Sequence, residues 1–378
     1  MKKYLIHIAV FLLMLTPASH AAYIDTDAEV AVVIDGHTGK VLFSKDKDKK
    51  TYPASMTKIM TTLIIFEKLA NETLSLDDKF LVSEKAWRER EGSSMFVEVD
   101  KEIRVEDLLR GIIVQSGNDA CIVVAENIAG TEESFAKMMT QKAKEIGMKN
   151  TNFTNSTGMY DKDNYSTVYD IALLSMHLIN EYPQYYHLFA ETEFEWSGIK
   201  QNNRNSLLYK NMGVDGLKTG HLSKSGYGLA ASAVDQNRRV ISVVNGFEST
   251  QKRTQGSSRL ITWAFREFTN LKLFEKEDIV GQVEISGASN KESDVSTGEE
   301  IIITVPKSKR DRLTTNIVVD DNISAPLNAG DKVGYLEISV PGEENQTYEL
   351  YATNEIDRSN IFVRFFNYLI NLILSLFN

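Results

Sequence analysis

Ser55 and Lys58 are the two side chains of this 378-residue sequence whose types and spacing first suggest chemistry. Residues three apart on a helix are neighbours, with roughly 5–6 Å between Cβ atoms, so a hydroxyl and an amine at these positions can meet. A lysine that faces inward loses solvation, which disfavours its charged form and leaves an amine able to take a proton from serine. Ser55 is then a candidate nucleophile and Lys58 its base. The spacing alone carries little, because Ser44/Lys47, Ser134/Lys137, Ser197/Lys200 and Ser249/Lys252 repeat it.

Two further clusters lie downstream. Ser116-Gly117-Asn118 stands between two stretches of helical period, Val105–Val114 and Asp119–Ile128, where a loop tip can present a hydroxyl and an amide. Lys218-Thr219-Gly220 follows Gly216 and precedes an apolar run from Tyr227, so a cation and a hydroxyl would stand on a strand that lets a substrate backbone come close. Each triplet is weak by itself. Together, in that order and on those elements, they make a strong set.

The elements that must hold them are legible in outline. Met56, Ile59, Met60, Leu63 and Ile64 recur at helical spacing, and Ile65 and Phe66 widen the apolar surface, so the helix bearing Lys58 is expected to be buried. Glu29–Asp35 and Lys40–Ser44, joined by Gly36-His37-Thr38-Gly39, read as a hairpin. From Asp77 to Asn180 the pattern is mainly helical, with a further stretch at Glu133–Ile146, a loop-rich passage from Asn150 to Ser166, and a helix from Val168. Tyr227–Val234 and Arg239–Asn245 read as strands, and Ser258–Phe274 as a helix. Strands at both ends with helices between them predict an antiparallel sheet with helices packed on it. Near Glu275 the composition changes to five strand-like runs, Gln282–Ser286, Glu300–Val305, Asn316–Val319, Val333–Val340 and Thr347–Ala352, the pattern of a small all-β module.

Composition narrows the function. A net charge of -10 argues against a nucleic-acid surface, which needs clustered Lys and Arg. The single cysteine, Cys121, excludes an intramolecular disulfide or a cysteine zinc site and reads as a small buried side chain. His37, His177 and His187 are scattered and suggest no metal centre, and no Asp-His pair offers a serine triad. No cofactor is implied.

The two ends are distinct. Lys2-Lys3, the apolar Ile8–Leu15 and Ser19-His20-Ala21 read as a secretory signal, with an uncleaved anchor as the alternative. At the other end Asn360, Arg364, Asn367, Asn371 and Ser375 make a polar stripe on an otherwise apolar helix. The favoured reading is an amphipathic helix in a membrane surface, and a short spanning tail is the alternative.

The motif set resembles that of the serine penicillin-recognising enzymes, and most of all the low-molecular-mass penicillin-binding proteins that act as D-alanyl-D-alanine carboxypeptidases. The matching stretches are Tyr52–Met60, Gln115–Cys121, Asp215–His221 and Leu260–Phe265, and the resemblance covers essentially the whole chain. Met56 and the short Gly-rich passage after Asn245 are minor departures. The resemblance implies an α/β (α+β) penicillin-recognising fold, divided into a signal peptide (1–21), a catalytic domain (22–275), an all-β domain (276–355) and an anchoring helix (356–378).

It further implies that Ser55 becomes acylated while Lys58 takes its proton. Ser116 would relay a proton to the leaving D-alanine, Asn118 would hold the substrate amide, and Lys218 would supply positive potential. Thr219, with Gly220 and the helper Arg253, would receive the terminal carboxylate, and the N–H groups of Ser55 and His221 would form the oxyanion hole. The implied partners are peptidoglycan stem peptides, β-lactams and the outer face of the inner membrane, reached from the periplasm; a homodimer stays open. Endopeptidase or transpeptidase action shares all three motifs, and a catalytically weak scaffold is a rival of another kind. A class A β-lactamase is disfavoured, since its Glu-x-x-Leu-Asn loop is absent.

Overall fold

The computed structural model describes residues 24–88, 91–289 and 292–360. Both the signal segment and residues 361–378 of the expected anchoring helix lie outside them. No helix among the described residues is long and apolar enough to cross a membrane.

In chain order the first part consists of β1 (Val30–Asp35), β2 (Val41–Lys45), α1 (Lys58–Ala70), β3 (Lys79–Leu81), α2 (Glu84–Arg88), β4 (Glu102–Arg104), α3 (Val105–Ile113), α4 (Asn118–Ala129), α5 (Glu132–Glu145), α6 (Val168–Glu181), α7 (Pro183–Tyr186), β5 (Glu193–Trp196), β6 (Ile199–Asn202), β7 (Val214–Leu222), β8 (Gly226–Asp235), β9 (Arg238–Phe247) and α8 (Thr250–Glu267). The five long strands form an antiparallel sheet in the order β2-β1-β9-β8-β7. The opening hairpin thus pairs with the late strands, as the sequence predicts, with Ala31 opposite Val244 and Ile34 opposite Ile241.

Every residue of β1 is buried because both faces of the sheet are covered. Val30, Val32 and Ile34 face the core built with α1, α3, α4 and α6, while Ala31 and Val33 face the core under α8. A strand with two apolar faces shows a continuous apolar run and no alternation. Helix α1 is surrounded in the first of these cores, with Ile59, Met60, Leu63, Ile64, Ile65 and Phe66 all buried. The region from Asp77 to Asn180 also holds the short pair β3–β4, and the hairpin β5–β6 follows it.

The expected helix over Ser258–Phe274 is corrected at both ends. Helix α8 starts at Thr250, where the Ser249 side chain caps it by accepting the N–H of Lys252, and it stops at Glu267. Phe268–Phe274 is a strand, β10, paired with the later strand Ile301–Pro306. Phe265, Phe268, Leu271 and Phe274 fall three apart and imitate a helical stripe, but pairing with Ile301–Pro306 outweighs that local pattern.

The remaining strands are β11 (Ile279–Val283), β12 (Ser293–Ser296), β13 (Ile301–Pro306), β14 (Thr314–Val319), β15 (Lys332–Ser339) and β16 (Gln346–Ala352). They enclose a separate apolar core that includes Val295, Ile303, Val333, Leu336 and Leu350. The sequence misses β12, which is short and polar.

A polar chain ties this β region to the first. Asp35, fully buried at the end of β1, pairs with Arg238 at 2.9 Å and accepts the Asn270 side-chain amide at 3.2 Å. Asn270 Oδ1 accepts the Thr304 hydroxyl at 3.0 Å, and Thr304 meets Thr38 at 2.7 Å. Beside it Lys40 pairs with Glu343, which also pairs with Lys309, each at 3.0 Å.

Candidate active site

Ser55 lies in a 3-10 turn, Ala54–Thr57, that runs straight into α1 at Lys58. Gly158 presses on this turn: with φ +79°, its place for a Cβ falls 1.9 Å from the Ala54 carbonyl oxygen, so only glycine can stand there. Lys58 is 1 % exposed, and its burial lowers the amine below the usual lysine value. Its Nζ has three oxygen neighbours: Asn118 Oδ1 at 2.7 Å, Thr157 O at 2.6 Å and Ser55 Oγ at 3.2 Å. A neutral amine has two protons and one lone pair. The amide and carbonyl oxygens can only accept, so they take both protons, and the lone pair is left for the Ser55 hydroxyl.

Asn118 opens α4. Its Nδ2 donates to Glu91 O at 2.8 Å, which turns Oδ1 toward Lys58, and its backbone N–H donates to Ser93 O at 2.7 Å. Ser116 sits two residues earlier with φ +61°, a left-handed conformation that aims it out of the chain path. It is buried, and its hydroxyl has no hydrogen-bond partner among the described residues.

β7 forms the opposite wall. Lys218 is 3 % exposed and lies well below the usual lysine value, first through burial and then through the nearby charges of Lys58 and Arg204. Gly220 passes directly over the nucleophile turn, since a Cβ there would lie 2.8 Å from Pro53 O and 3.2 Å from Ala54 Cβ. His221 is exposed and stacks on Tyr227 with ring centroids 4.0 Å apart.

Ser55, Ser116, Asn118, Thr219, Gly220, His221 and Arg253 all line one cleft of about 360 Å³. Lys218 stands behind its wall. The other Ser-x-x-Lys pairs are elsewhere: Lys47 pairs with Asp48, Lys200 with Glu193 and Lys252 with Glu248, while Ser134 joins the cap of α5. Cys121 is buried beneath the cleft as the sequence predicts, and burial pushes its thiol up to about 12.

Arg253 reads from sequence as part of a polar loop. It is instead in the first turn of α8, 5 % exposed, and burial pushes its guanidinium down to about 10. Arg204, which sequence reasoning missed, also lines the cleft and donates to the Ser93 hydroxyl, while its carbonyl accepts from Arg253 at 3.4 Å. It lies in the polar run Gln201–Ser206, which carries no motif; its place is set by Asn205, buried and bonded to Gly216 O at 2.9 Å.

The cleft thus combines a hydroxyl beside a buried amine whose burial favours the neutral form, a second hydroxyl without a partner among the described residues, and two guanidinium groups. That set suits attack on an acyl group that lies next to a carboxylate.

A family model described as D-alanyl-D-alanine carboxypeptidase matches residues 16–249, and one described as the C-terminal domain of penicillin-binding protein 5 matches residues 268–358. The D-alanyl-D-alanine carboxypeptidase DacA of Haemophilus influenzae is 33% identical over 356 residues, 93% of this chain and 91% of the relative. The crystal structure of penicillin binding protein 5 from Haemophilus influenzae superimposes with a TM-score of 0.84 at 32% identity, covering 90% of this chain and 100% of that one. Penicillin-Binding Protein D2 from Listeria monocytogenes in its ampicillin-bound form does so with a TM-score of 0.59 at 29% identity, over 64% of this chain and 99% of that one.

Proposed function

The chain belongs to the D-alanyl-D-alanine carboxypeptidase family of serine peptidases, which act on peptidoglycan peptides and bind β-lactams, and we propose how its own residues carry that reaction. Ser55 Oγ attacks the carbonyl between the two terminal D-alanines as its proton passes to the Lys58 lone pair. The C–N bond breaks, and the departing D-alanine amine takes a proton through Ser116. An ester on Ser55 remains, and water cleaves it. Backbone N–H groups of Ser55 and His221 receive the oxyanion, a contribution of about 2.7–4 kcal/mol per donor.

Asn118 holds the peptide amide and fixes Lys58. Thr219 and Gly220, with Arg253 and Arg204, receive the free carboxylate that distinguishes a carboxypeptidase substrate, and Lys218 keeps the potential positive without itself needing to touch it. A β-lactam presents the same carbonyl-and-carboxylate pair and acylates the same oxygen.

The arrangement of three oxygens around Lys58 Nζ is the observation that carries this reading, because in the neutral form that burial favours two of them take the amine's protons and its lone pair is left for Ser55. The test is D-alanine release from diacetyl-lysyl-D-alanyl-D-alanine, with penicillin acylation followed by intact mass and Ser55→Ala in parallel. Release and adduct should both vanish in the variant. An adduct that persists would remove Ser55 as the nucleophile, and an adduct without peptide release would point to an endopeptidase, a transpeptidase or a binding scaffold.

We further infer that the protein is exported and held at the outer face of the inner membrane by its C-terminal segment, 361–378, with 22–275 as its catalytic unit and an all-β unit between them. The basic start, the short apolar segment and the polar stripe support this. Residues 356–360, expected in the anchoring helix, are instead extended and belong with the β unit, Ile356 bridging to Leu327 and Arg358 to Ala288. Removal of Ser359–Asn378 should release the protein in soluble form, and persistent membrane association would sink the anchor.

A further inference from the structure

The turn between β7 and β8 carries Lys224, whose Nζ donates to the Tyr160 hydroxyl at 2.8 Å and lies 4.1 Å from the centre of the same ring. The two residues continue opposite walls of the cleft. Tyr160 follows Gly158 and Met159, and Lys224 follows His221 and Leu222, all four of which line it. The pair therefore bridges the cleft just beyond its lining. Tyr52, three residues before Ser55, packs edge-on to Tyr160 with ring centroids 5.1 Å apart, which sets the bridge on the nucleophile's side. Arg204 and Arg253 are joined to each other and to Ser93 instead. A peptide with its carboxylate on the arginines and its scissile carbonyl at Ser55 runs its upstream residues toward the bridge.

Lys224 is exposed, and among the described residues no carboxylate pairs with it. Asp161 and Asp163, in the loop of Tyr160, are turned to other partners: Asp161 accepts the N–H of Asp163 at 2.7 Å, and Asp163 lies 3.8 Å from Lys162. One of the three ammonium protons is used on a phenol, which leaves two for an incoming acceptor. The phenol and the ring face hold the long side chain in place, reducing the entropy that a free surface lysine loses when it binds.

We propose that Lys224, braced by Tyr160, is a specificity residue that receives a free carboxylate on the amino acid immediately upstream of the two D-alanines. The substrate class favoured is then a stem peptide with a dicarboxylic diamino acid at that position, over one with lysine. The inference rests on the carboxypeptidase reading given above and deepens it.

Two peptides that differ by one carboxylate test it: diacetyl-lysyl-D-alanyl-D-alanine and its diacetyl-diaminopimelyl counterpart. The parent protein should favour the second by about threefold in kcat/KM, the scale of one exposed charge pair, chiefly through KM. The preference should shrink at high salt. Lys224→Gln should bring the ratio to about one, and Lys224→Arg should keep it. A ratio of one in the parent, a ratio unchanged in Lys224→Gln, or an equal fall on both peptides would overturn the proposal. No D-alanine from either peptide with the parent protein would instead remove the carboxypeptidase reading, and this proposal with it.

Discussion

Asp119 Oδ2 accepts the hydroxyl of Ser94 at 2.6 Å, across 25 residues of sequence. The same carboxylate takes the backbone N–H groups of Met95, Phe96 and Val97 at 2.8, 2.7 and 3.1 Å. The loop that carries Ser93 into the cleft therefore hangs on the residue next to Asn118. Asp119→Ala should lower stability by about 3 kcal/mol, since it leaves several buried donors unpaired, and should slow penicillin acylation at least tenfold. Urea unfolding and stopped-flow acylation would measure these, and an unchanged acylation rate would show that the loop holds its place without Asp119.

Lys58→Arg separates charge from basicity. Arginine keeps a cation but cannot be deprotonated at working pH, so acylation by penicillin should fall by about 10²–10⁴-fold. In the parent protein the neutral amine is the working form, so kcat/KM should rise with pH until it passes the lowered value of Lys58 and then level off. Retained acylation in Lys58→Arg would exclude Lys58 as the base.

Lys218 sets a sign for stability against pH. Its folded value lies well below 10.5 because of burial first and neighbouring cations second. Between the folded and unfolded values the unfolded chain binds the extra proton, so unfolding free energy rises with pH across that window and falls as pH drops through it. Lys218→Met should flatten the rise and stabilise the protein at neutral pH while impairing turnover. Urea unfolding at several pH values from 7 to about 10 checks it, and an unchanged slope would contradict the burial argument.

Gly220→Ala tests the strand over the nucleophile. The new methyl meets backbone and a small side chain, neither of which can swing away, so β7 must move off the Ser55 turn. Acylation should fall by at least tenfold with little loss of melting temperature, and a normal rate would mean that the contact is looser than its geometry implies.

Asp35→Ala removes the carboxylate shared by Arg238 and Asn270 and leaves a buried guanidinium with no counter-charge from Asp35. The loss should be about 3–5 kcal/mol, and calorimetry should show the core of the β region melting apart from the rest. A single unbroken transition at nearly the parent temperature would refute the linkage.

The three motif clusters were legible because each is local: a serine and a lysine one turn apart, a triplet at a loop tip, a triplet on one strand. Their meeting depends on the sheet order, which the opening hairpin and late strands made readable. Thr157, which holds Lys58 from 99 residues away, and Gly158 beside it left no local trace. Arg204 escaped for the same reason, and Arg253 looked solvated because its burial comes from the neighbouring loop and not from its own segment. The misread helix over Ser258–Phe274 shows the converse: a clear local period was overruled by a partner strand 30 residues later.

The chain of contacts from Asp35 through Asn270 to Thr304 and Thr38 also has a mechanical side. It joins the sheet that carries Lys218 to the β region through side chains of β1, β10 and β13 and the turn after β1. Under the anchoring proposed above, this joint would carry the hold on the C-terminal segment through the β region to the sheet beside the serine, as a bracket holds a blade. The depth of wall polymer within reach of the cleft would then follow from the length of the β region, which would act as a ruler.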